Sequence, residues 1–226
     1  MPLRNRVDPF GAIHAVAARG LFTGNRGIIH DAATRTLLRR RWTTKAWLIC
    51  TCDFRGLRRD VMGRNGRAGK AGWTELFFLD EVTGLAAGHR PCFFCRHPAA
   101  RIFADCAADA PGIAAPKAGE IDARLHGERL ASGGMAAPVD IQAMRALPEG
   151  TMVAHGAQAF AIRGGHLLPW SFAGYGQPLS MAAAAFAGWR VLTPPITVAA
   201  LRAGYRPVWH ASADGDVSQR RESRPS

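Results

Sequence analysis

The chain has 226 residues, of which 48% are hydrophobic and 20% are charged, and its formal net charge is +12. This composition can bury a hydrophobic core and excludes a disordered chain. No apolar run approaches the roughly 20 residues that a membrane helix needs, and the first residues lack the apolar segment of a secretory signal. We therefore expect a cytoplasmic protein with no membrane partner.

The first half of the chain is rich in strand signals. Residues 42–54 are dense in β-branched and aromatic side chains and contain no Pro or Gly, which predicts a strand. Residues 57–62 could return as a second strand, and 73–79 predict a third. The Gly-rich segment 63–72 between them predicts a flexible basic loop.

Two short helices follow these strands. Asp80 is a suitable N-cap for a helix that ends at Ala87, and Gly88 then supplies the positive φ that a helix C-terminus often needs. Pro98 is well placed at the first position of a second helix, which we expect over 99–107.

Residues 109–119 carry Pro and Gly in a linker-like composition and predict a boundary. It separates a basic N-terminal region, 1–108, from a C-terminal region, 120–210. The elements predicted beyond the boundary are helices at 120–131 and 139–147, a β-hairpin at 150–163 with Gly156 in its turn, and a disordered tail at 211–226.

The most specific motif is the pair Cys92 and Cys95, which are separated by two residues on a turn after the first helix. Two thiolates at this spacing form a knuckle that can hold one tetrahedral Zn²⁺, and a structural site needs four ligands. Cys50 and Cys52 share one face of the first predicted strand and are the leading second pair. The alternative ligands are His30, His89 and His97.

Other interpretations of these cysteines stay open. Cys50 and Cys52 lie in register with Leu48 and Phe54, and a free cysteine is a frequent core residue. The CxxC pair could also be a redox motif, although a thioredoxin-like βαβ pattern is not seen around it. The odd number of cysteines, which includes Cys106, argues against a disulfide framework.

The stretch WTELFFLDEVTGLAAGHRPCFFCRH, residues 73–97, resembles the second half of the Ada-type metal-binding domain. The resemblance implies that Cys92 and Cys95 match the second zinc-ligand pair of that family. The first pair of the family has the spacing C-x-x-x-C, and Cys50-x-Cys52 is the nearest substitute here. One first-pair cysteine of the family accepts methyl groups from DNA phosphotriesters, and the departure in spacing argues against that activity. The whole chain also resembles an uncharacterised bacterial family with the signature GHRPCxxC.

A second segment, 195–207, aligns without gaps to 79–91. Six positions are identical, including Gly88 with Gly204 and Pro91 with Pro207. Both segments predict a strand, a two-turn helix, a Gly cap and an extended exit, but Val208 stands where the first segment has Cys92. The second segment would keep the scaffold and lack the metal. Alternatively, the match reflects only how common Gly-capped helices are.

The positive charge is concentrated in the first half of the chain. Residues 1–106 hold 18 basic and 8 acidic residues, and the segment 35–70 alone holds 11 basic residues. Interleaved with Trp42, Trp47 and Trp73, these cations could track phosphates while the rings stack on bases. The alternative is a solvated surface in an arginine-rich chain. The candidate nucleic-acid-binding residues are Arg39, Arg40, Arg41, Arg55, Arg58, Arg59, Arg64, Arg67 and Lys70.

Together these patterns predict an α+β fold: a small antiparallel sheet with a CxxC zinc knuckle, a helical middle segment and a small β-rich C-terminal part. The function expected is a zinc-stabilised protein that binds DNA or RNA and uses Cys92, Cys95, Cys50 and Cys52 as a structural site. An enzyme of another class, such as a hydrolase or nuclease, and a non-catalytic interaction scaffold are the alternatives.

Overall fold

A computed structural model describes residues 1–56 and 59–215 of the chain. In chain order its strands are β1 (Arg4–Val7), β2 (Ile13–Ala15), β3 (Phe22–Asn25), β4 (His30–Asp31), β5 (Thr36–Leu37), β6 (Leu48–Thr51), β7 (Leu76–Phe78), β8 (Arg90–Pro91), β9 (Ala137–Pro138), β10 (Met152–His155), β11 (Gln158–Arg163), β12 (His166–Ser171), β13 (Gly174–Tyr175), β14 (Leu179–Ser180) and β15 (Trp189–Val191). The helices are α1 (Glu81–Ala86), α2 (His97–Ala107), α3 (Ala118–Glu128), α4 (Ile141–Arg145) and α5 (Pro195–Arg202). The fold is mixed α+β, as predicted.

The first sheet has six strands in the order β2-β1-β7-β3-β6-β8. The expectation of an antiparallel sheet is wrong at two places, because β1 pairs with β7 and β6 pairs with β8 in parallel. A parallel pair needs a long crossover connection, and β7 and α1 supply it between β6 and β8. The strand predicted over 42–54 is confined to β6.

The second sheet is antiparallel and follows the order β13-β12-β11-β10-β15-β9, with β14 paired to β12. The predicted hairpin is confirmed as β10 and β11, and Gly156 lies in its turn with φ +57°. Met152 and Ala154 pack on one face of the sheet, whereas Val153 packs on the other, as the period of two requires. Both faces of this sheet are therefore buried.

The helices cover one face of the first sheet. Phe103 of α2, Ile121 of α3 and Ile196 of α5 are fully buried in the same core as the sheet residue Phe78. Because α5 belongs to the C-terminal part of the chain, the division predicted at 109–119 does not coincide with a division of this core. Helix α1 contributes Leu85 to this same core and Val82 to the core of the second sheet.

The predicted helix signals are present in the structure. The Asp80 side chain accepts a hydrogen bond from the Thr83 N–H at 2.9 Å, and Gly88 has φ +79°. Pro98 lies in the first turn of α2, which begins at His97. Among the described residues, no helix is long and apolar enough to cross a membrane.

Two predicted segments differ from the structure. The possible strand over 57–62 falls partly on Leu57 and Arg58, which lie outside the described residues, and 59–62 carry no strand. Residues 211–214, predicted as disordered, form a 3-10 turn instead. The Ser212 hydroxyl accepts a hydrogen bond from the Tyr175 N–H at 2.8 Å, which ties this turn to the second sheet. Residues 216–226 of the predicted tail lie outside the described part of the chain.

Candidate metal centre and cleft

The two faces of the first sheet have different surroundings. Thr23 of β3 lies directly opposite Cys50 of β6 and Phe77 of β7, so these three side chains share one face. The adjacent residues Ile49 and Phe78 point to the other face and are fully buried in the core. The face that carries Cys50 is therefore the one that the helices do not cover.

The segment that carries Cys92 and Cys95 reaches Cys50 through strand pairing. After Gly88 the chain joins the edge of β6 as the short parallel strand β8. The Cys92 N–H donates a hydrogen bond to the Ile49 carbonyl oxygen at 3.0 Å, which places Cys92 beside Cys50. Cys95 lies one turn further on, just before α2 begins.

Three cysteine thiols meet at this point. The sulfur atoms of Cys50, Cys92 and Cys95 all lie within 4.8 Å of one another, and Cys50 and Cys92 are buried. The Phe94 N–H donates to Cys92 Sγ at 3.4 Å. Three thiols at these separations could hold one metal ion, and thiolates favour soft or borderline metals such as zinc. Among the described residues, these three cysteines are the potential metal ligands at this point.

The pKa values of the Cys92 and Cys50 thiols are shifted in opposite directions. The pKa of Cys92 is lowered because its sulfur accepts hydrogen bonds from Cys50, from Cys95 and from backbone N–H groups. The pKa of Cys50 is raised, because its thiol donates to Cys92 and Cys95 and is desolvated by burial.

The structure does not bring Cys52 into this group. Its side chain lines the same cleft as Cys50, but the thiol donates to the Leu21 carbonyl oxygen at 3.5 Å. Strand β6 ends at Thr51, so the period of two that places Cys50 and Cys52 on one face stops between them.

The three candidate histidines lie outside the thiol group. His30 is buried, and its Nδ1 forms a 2.7 Å hydrogen bond with the Thr74 hydroxyl. His89 is fully buried, with its ring centroid 4.6 Å from that of Phe78. His97 is exposed at the start of α2. Each of the two buried histidines is thus held by contacts that do not involve the cysteines.

The cysteine group forms part of the wall of a cleft of about 970 Å³ on the uncovered sheet face. Its aromatic lining comes from three separate segments and includes Phe54, Trp73, Phe77 and Phe94. The rings of Phe54 and Phe94 pack with their centroids 5.1 Å apart, and the Phe94 side chain is 72% exposed. A volume of this size accommodates a small ligand.

Two of the predicted basic residues lie at this cleft. The Arg55 guanidinium lies 5.0 Å from the centroid of the Phe54 ring, and that of Arg59 lies 4.2 Å from the centroid of Trp73. Arg59 also forms a 2.6 Å ion pair with Glu75, whose side chain is buried. Arg55 remains exposed and is the better placed of the two to meet an anion.

The other described members of the basic cluster do not line the cleft. Arg41 is half-buried and donates to the Leu38 carbonyl oxygen, and Arg58 lies outside the described residues. The exposed members are Arg39, Arg40, Arg64, Arg67 and Lys70.

Trp47 cannot serve as a base-stacking surface, contrary to the sequence expectation. It is fully buried between two guanidinium groups, with Arg26 at 3.9 Å and Arg129 at 3.5 Å from its ring centroid. Burial, together with the charge of Arg129, lowers the pKa of Arg26 to about 9. Trp73 lines the cleft, whereas Trp42 packs against His126 with ring centroids 4.7 Å apart.

A buried ion pair joins the segment after Cys95 to α1, and sequence reasoning missed it. Arg96, which follows Cys95, donates two hydrogen bonds to the Glu81 carboxylate at 2.7 and 2.9 Å. Glu81 is fully buried and also accepts from the Tyr205 hydroxyl at 2.6 Å and the Val208 N–H at 2.9 Å. The sequence feature that could have indicated this ion pair is the acidic residue Glu81 at the first position of α1.

Comparison of the chain with family models, with curated proteins and with solved structures finds no match. The resemblance of residues 73–97 to the Ada-type domain therefore stays a prediction.

Proposed function

We propose that this protein holds one zinc ion with Cys50, Cys92 and Cys95 and binds single-stranded nucleic acid at the adjacent cleft. The observation that carries the proposal is the position of the three thiols in the wall of an aromatic, arginine-edged cleft. Three clustered thiols supply the donor type that zinc prefers. The ion would hold the knuckle against β6 and so maintain one side of the cleft.

The aromatic lining supports single-stranded nucleic acid as the ligand. Proteins that bind single strands without strict sequence preference stack bases on aromatic rings, and each stacked base contributes about 1–3 kcal/mol. Phe94 offers an exposed ring at the cleft, and Phe54 and Trp73 flank it. A paired duplex would not expose its bases to such rings.

The charge distribution supports an anionic partner. Arg55 is exposed next to the Phe54 and Phe94 rings, so a phosphate could contact it while a base occupies the cleft. The net charge of the chain is +12, which favours association with a polyanion.

The test is a titration of the zinc-loaded chain with a fluorescent single-stranded oligonucleotide at several salt concentrations. We expect affinity to fall steeply with salt, since binding displaces counterions from phosphates. Phe94→Ala should weaken binding by about 5- to 150-fold, the range that corresponds to loss of one stacked base. Phe186→Ala is the matched control, because Phe186 is 50% exposed and packs on Trp189 of the second sheet.

Arg55→Ala should remove about one phosphate contact. The slope of the logarithm of the binding constant against the logarithm of salt concentration should therefore become less negative by roughly 0.7. Absence of binding at low salt would refute the nucleic-acid proposal. Equal weakening by Phe94→Ala and Phe186→Ala would remove the cleft as the binding surface.

A further inference from the structure

We infer that the cleft binds a neutral planar nitrogen heterocycle whose ring nitrogen takes the fourth coordination position of the metal. This chemistry is shared by nucleobases and imidazoles. The inference depends on the proposed metal site at Cys50, Cys92 and Cys95, and it does not require that nucleic acid is the partner.

The number of ligands is the first argument. Zinc is usually four-coordinate, and sites with three protein ligands leave one position for water or a substrate. The described residues provide three thiols here, and the Cys52 thiol is directed at the Leu21 carbonyl oxygen instead. Since all three sulfurs belong to residues that line the cleft, a fourth ligand can approach from the cleft.

Charge is the second argument. Three thiolates and Zn²⁺ together carry a net charge of about −1. The cleft lining also contains the carboxylates of Asp53 and Glu75, and Arg59 already pairs with Glu75. An anionic fourth ligand would add a further negative charge to this group, whereas a neutral nitrogen donor adds none.

The shape and chemistry of the walls are the third argument. Phe54, Trp73, Phe77 and Phe94 present ring surfaces around the thiol group. Aromatic walls favour a flat, apolar ring, and zinc accepts aromatic nitrogen as readily as sulfur. Binding is a simple ligand exchange: the ring nitrogen donates its lone pair to the metal, and one water is released.

The experiment uses the full chain loaded with Co²⁺ in place of zinc, because cobalt–thiolate sites absorb visible light. The probe is 1-methylimidazole, and the control is N-methylpyrrole, which has the same flat ring without a basic nitrogen. We expect a saturable shift of the cobalt d–d bands with the first compound and none with the second. The thiolate-to-cobalt charge-transfer intensity should stay constant, since no cysteine leaves the metal.

Two variants identify the fourth ligand before the probe is added. Cys52→Ala and Asp53→Asn should both leave the cobalt spectrum unchanged. A fall of the charge-transfer intensity by about one quarter in Cys52→Ala would show four thiolates and overturn the inference. A change of the d–d bands in Asp53→Asn would do the same by placing that carboxylate on the metal.

Other outcomes separate this inference from the proposed function. A chain that takes up no cobalt overturns both the metal site and the inference. A spectrum that 1-methylimidazole does not shift overturns the inference and leaves the metal site standing. A saturable shift in a protein that binds no oligonucleotide supports the inference and removes only the nucleic-acid partner.

Discussion

The segments 79–91 and 195–207 both form a Gly-capped helix, and only the first leads to the group of three thiols. Each contains a helix that ends at a glycine with positive φ, +79° at Gly88 and +111° at Gly204. In the first cap, the Gly88 N–H donates to the Leu85 carbonyl oxygen and the His89 N–H donates to the Gly84 carbonyl oxygen. In the second cap, the Gly204 N–H donates to the Leu201 carbonyl oxygen and the Tyr205 N–H donates to the Ala200 carbonyl oxygen. The prediction of two Gly-capped helices is thereby confirmed.

The two segments differ in what their exits contact. The first exit pairs with β6, so that Cys92 comes to lie beside Cys50. The second exit meets the start of α1, where the Val208 N–H donates to Glu81 and the Glu81 N–H donates back to the Val208 carbonyl oxygen. The same capped helix occurs in both segments, and the thiol group forms only where the exit pairs with β6.

The largest expected effect is the loss of stability on substitution in the first exit, and the corresponding substitution in the second exit is its control. Cys92→Ala should abolish zinc binding, and at free zinc about 1,000-fold above the Kd it should lose the roughly 4 kcal/mol that binding adds to stability. The corresponding change in the second segment, Val208→Ala, should alter stability by no more than about 0.5 kcal/mol, since Val208 is 47% exposed. Thermal unfolding with and without a chelator measures both. Equal stability losses in the two variants would contradict the account.

The next effect concerns Glu81, which joins the two segments. Glu81→Gln leaves the buried Arg96 without its charge partner, and we expect a destabilisation of about 3 kcal/mol. Tyr205→Phe removes only one neutral donor to the same carboxylate and should cost about 1 kcal/mol. Urea unfolding of both variants provides the comparison. A Glu81→Gln loss no larger than that of Tyr205→Phe would show that the ion pair does not anchor the knuckle.

The smallest effect distinguishes the two caps. Alanine at either glycine must adopt positive φ, which costs about 1–2 kcal/mol. At Gly88 a Cβ would also lie 2.4 Å from the Arg129 Cβ, whereas at Gly204 it would meet nothing within 4 Å. We therefore expect Gly88→Ala to cost roughly 1 kcal/mol more than Gly204→Ala in equilibrium unfolding. Equal costs would mean that Arg129 can move away from Trp47 freely.

Local features of the fold follow from the sequence, because their causes lie within a few residues. The Asp80 cap, the positive φ of Gly88, the start of α2 near Pro98 and the hairpin around Gly156 are all of this kind. The spacing of Cys92 and Cys95 is likewise local. These features could be predicted from residue type and position alone.

The cleft could not be predicted in this way, because distant segments build it. Cys50 meets Cys92 only through the parallel pairing of β6 with β8, and strand partners cannot be read from one sequence. The sequence pattern also grouped Cys52 with Cys50, although the strand ends between them. Phe54, Trp73 and Phe94 come together only after the chain has folded.

The zinc content of the purified chain and of two single variants, Cys50→Ala and Cys52→Ala, tests the three-thiol site directly. Cys50 and Cys52 are two residues apart, yet only Cys50 lies within 4.8 Å of the other thiols. The account predicts about one zinc per chain in the unaltered protein and in Cys52→Ala, and none in Cys50→Ala. Zinc retained in Cys50→Ala, or zinc absent from the unaltered protein, would contradict it.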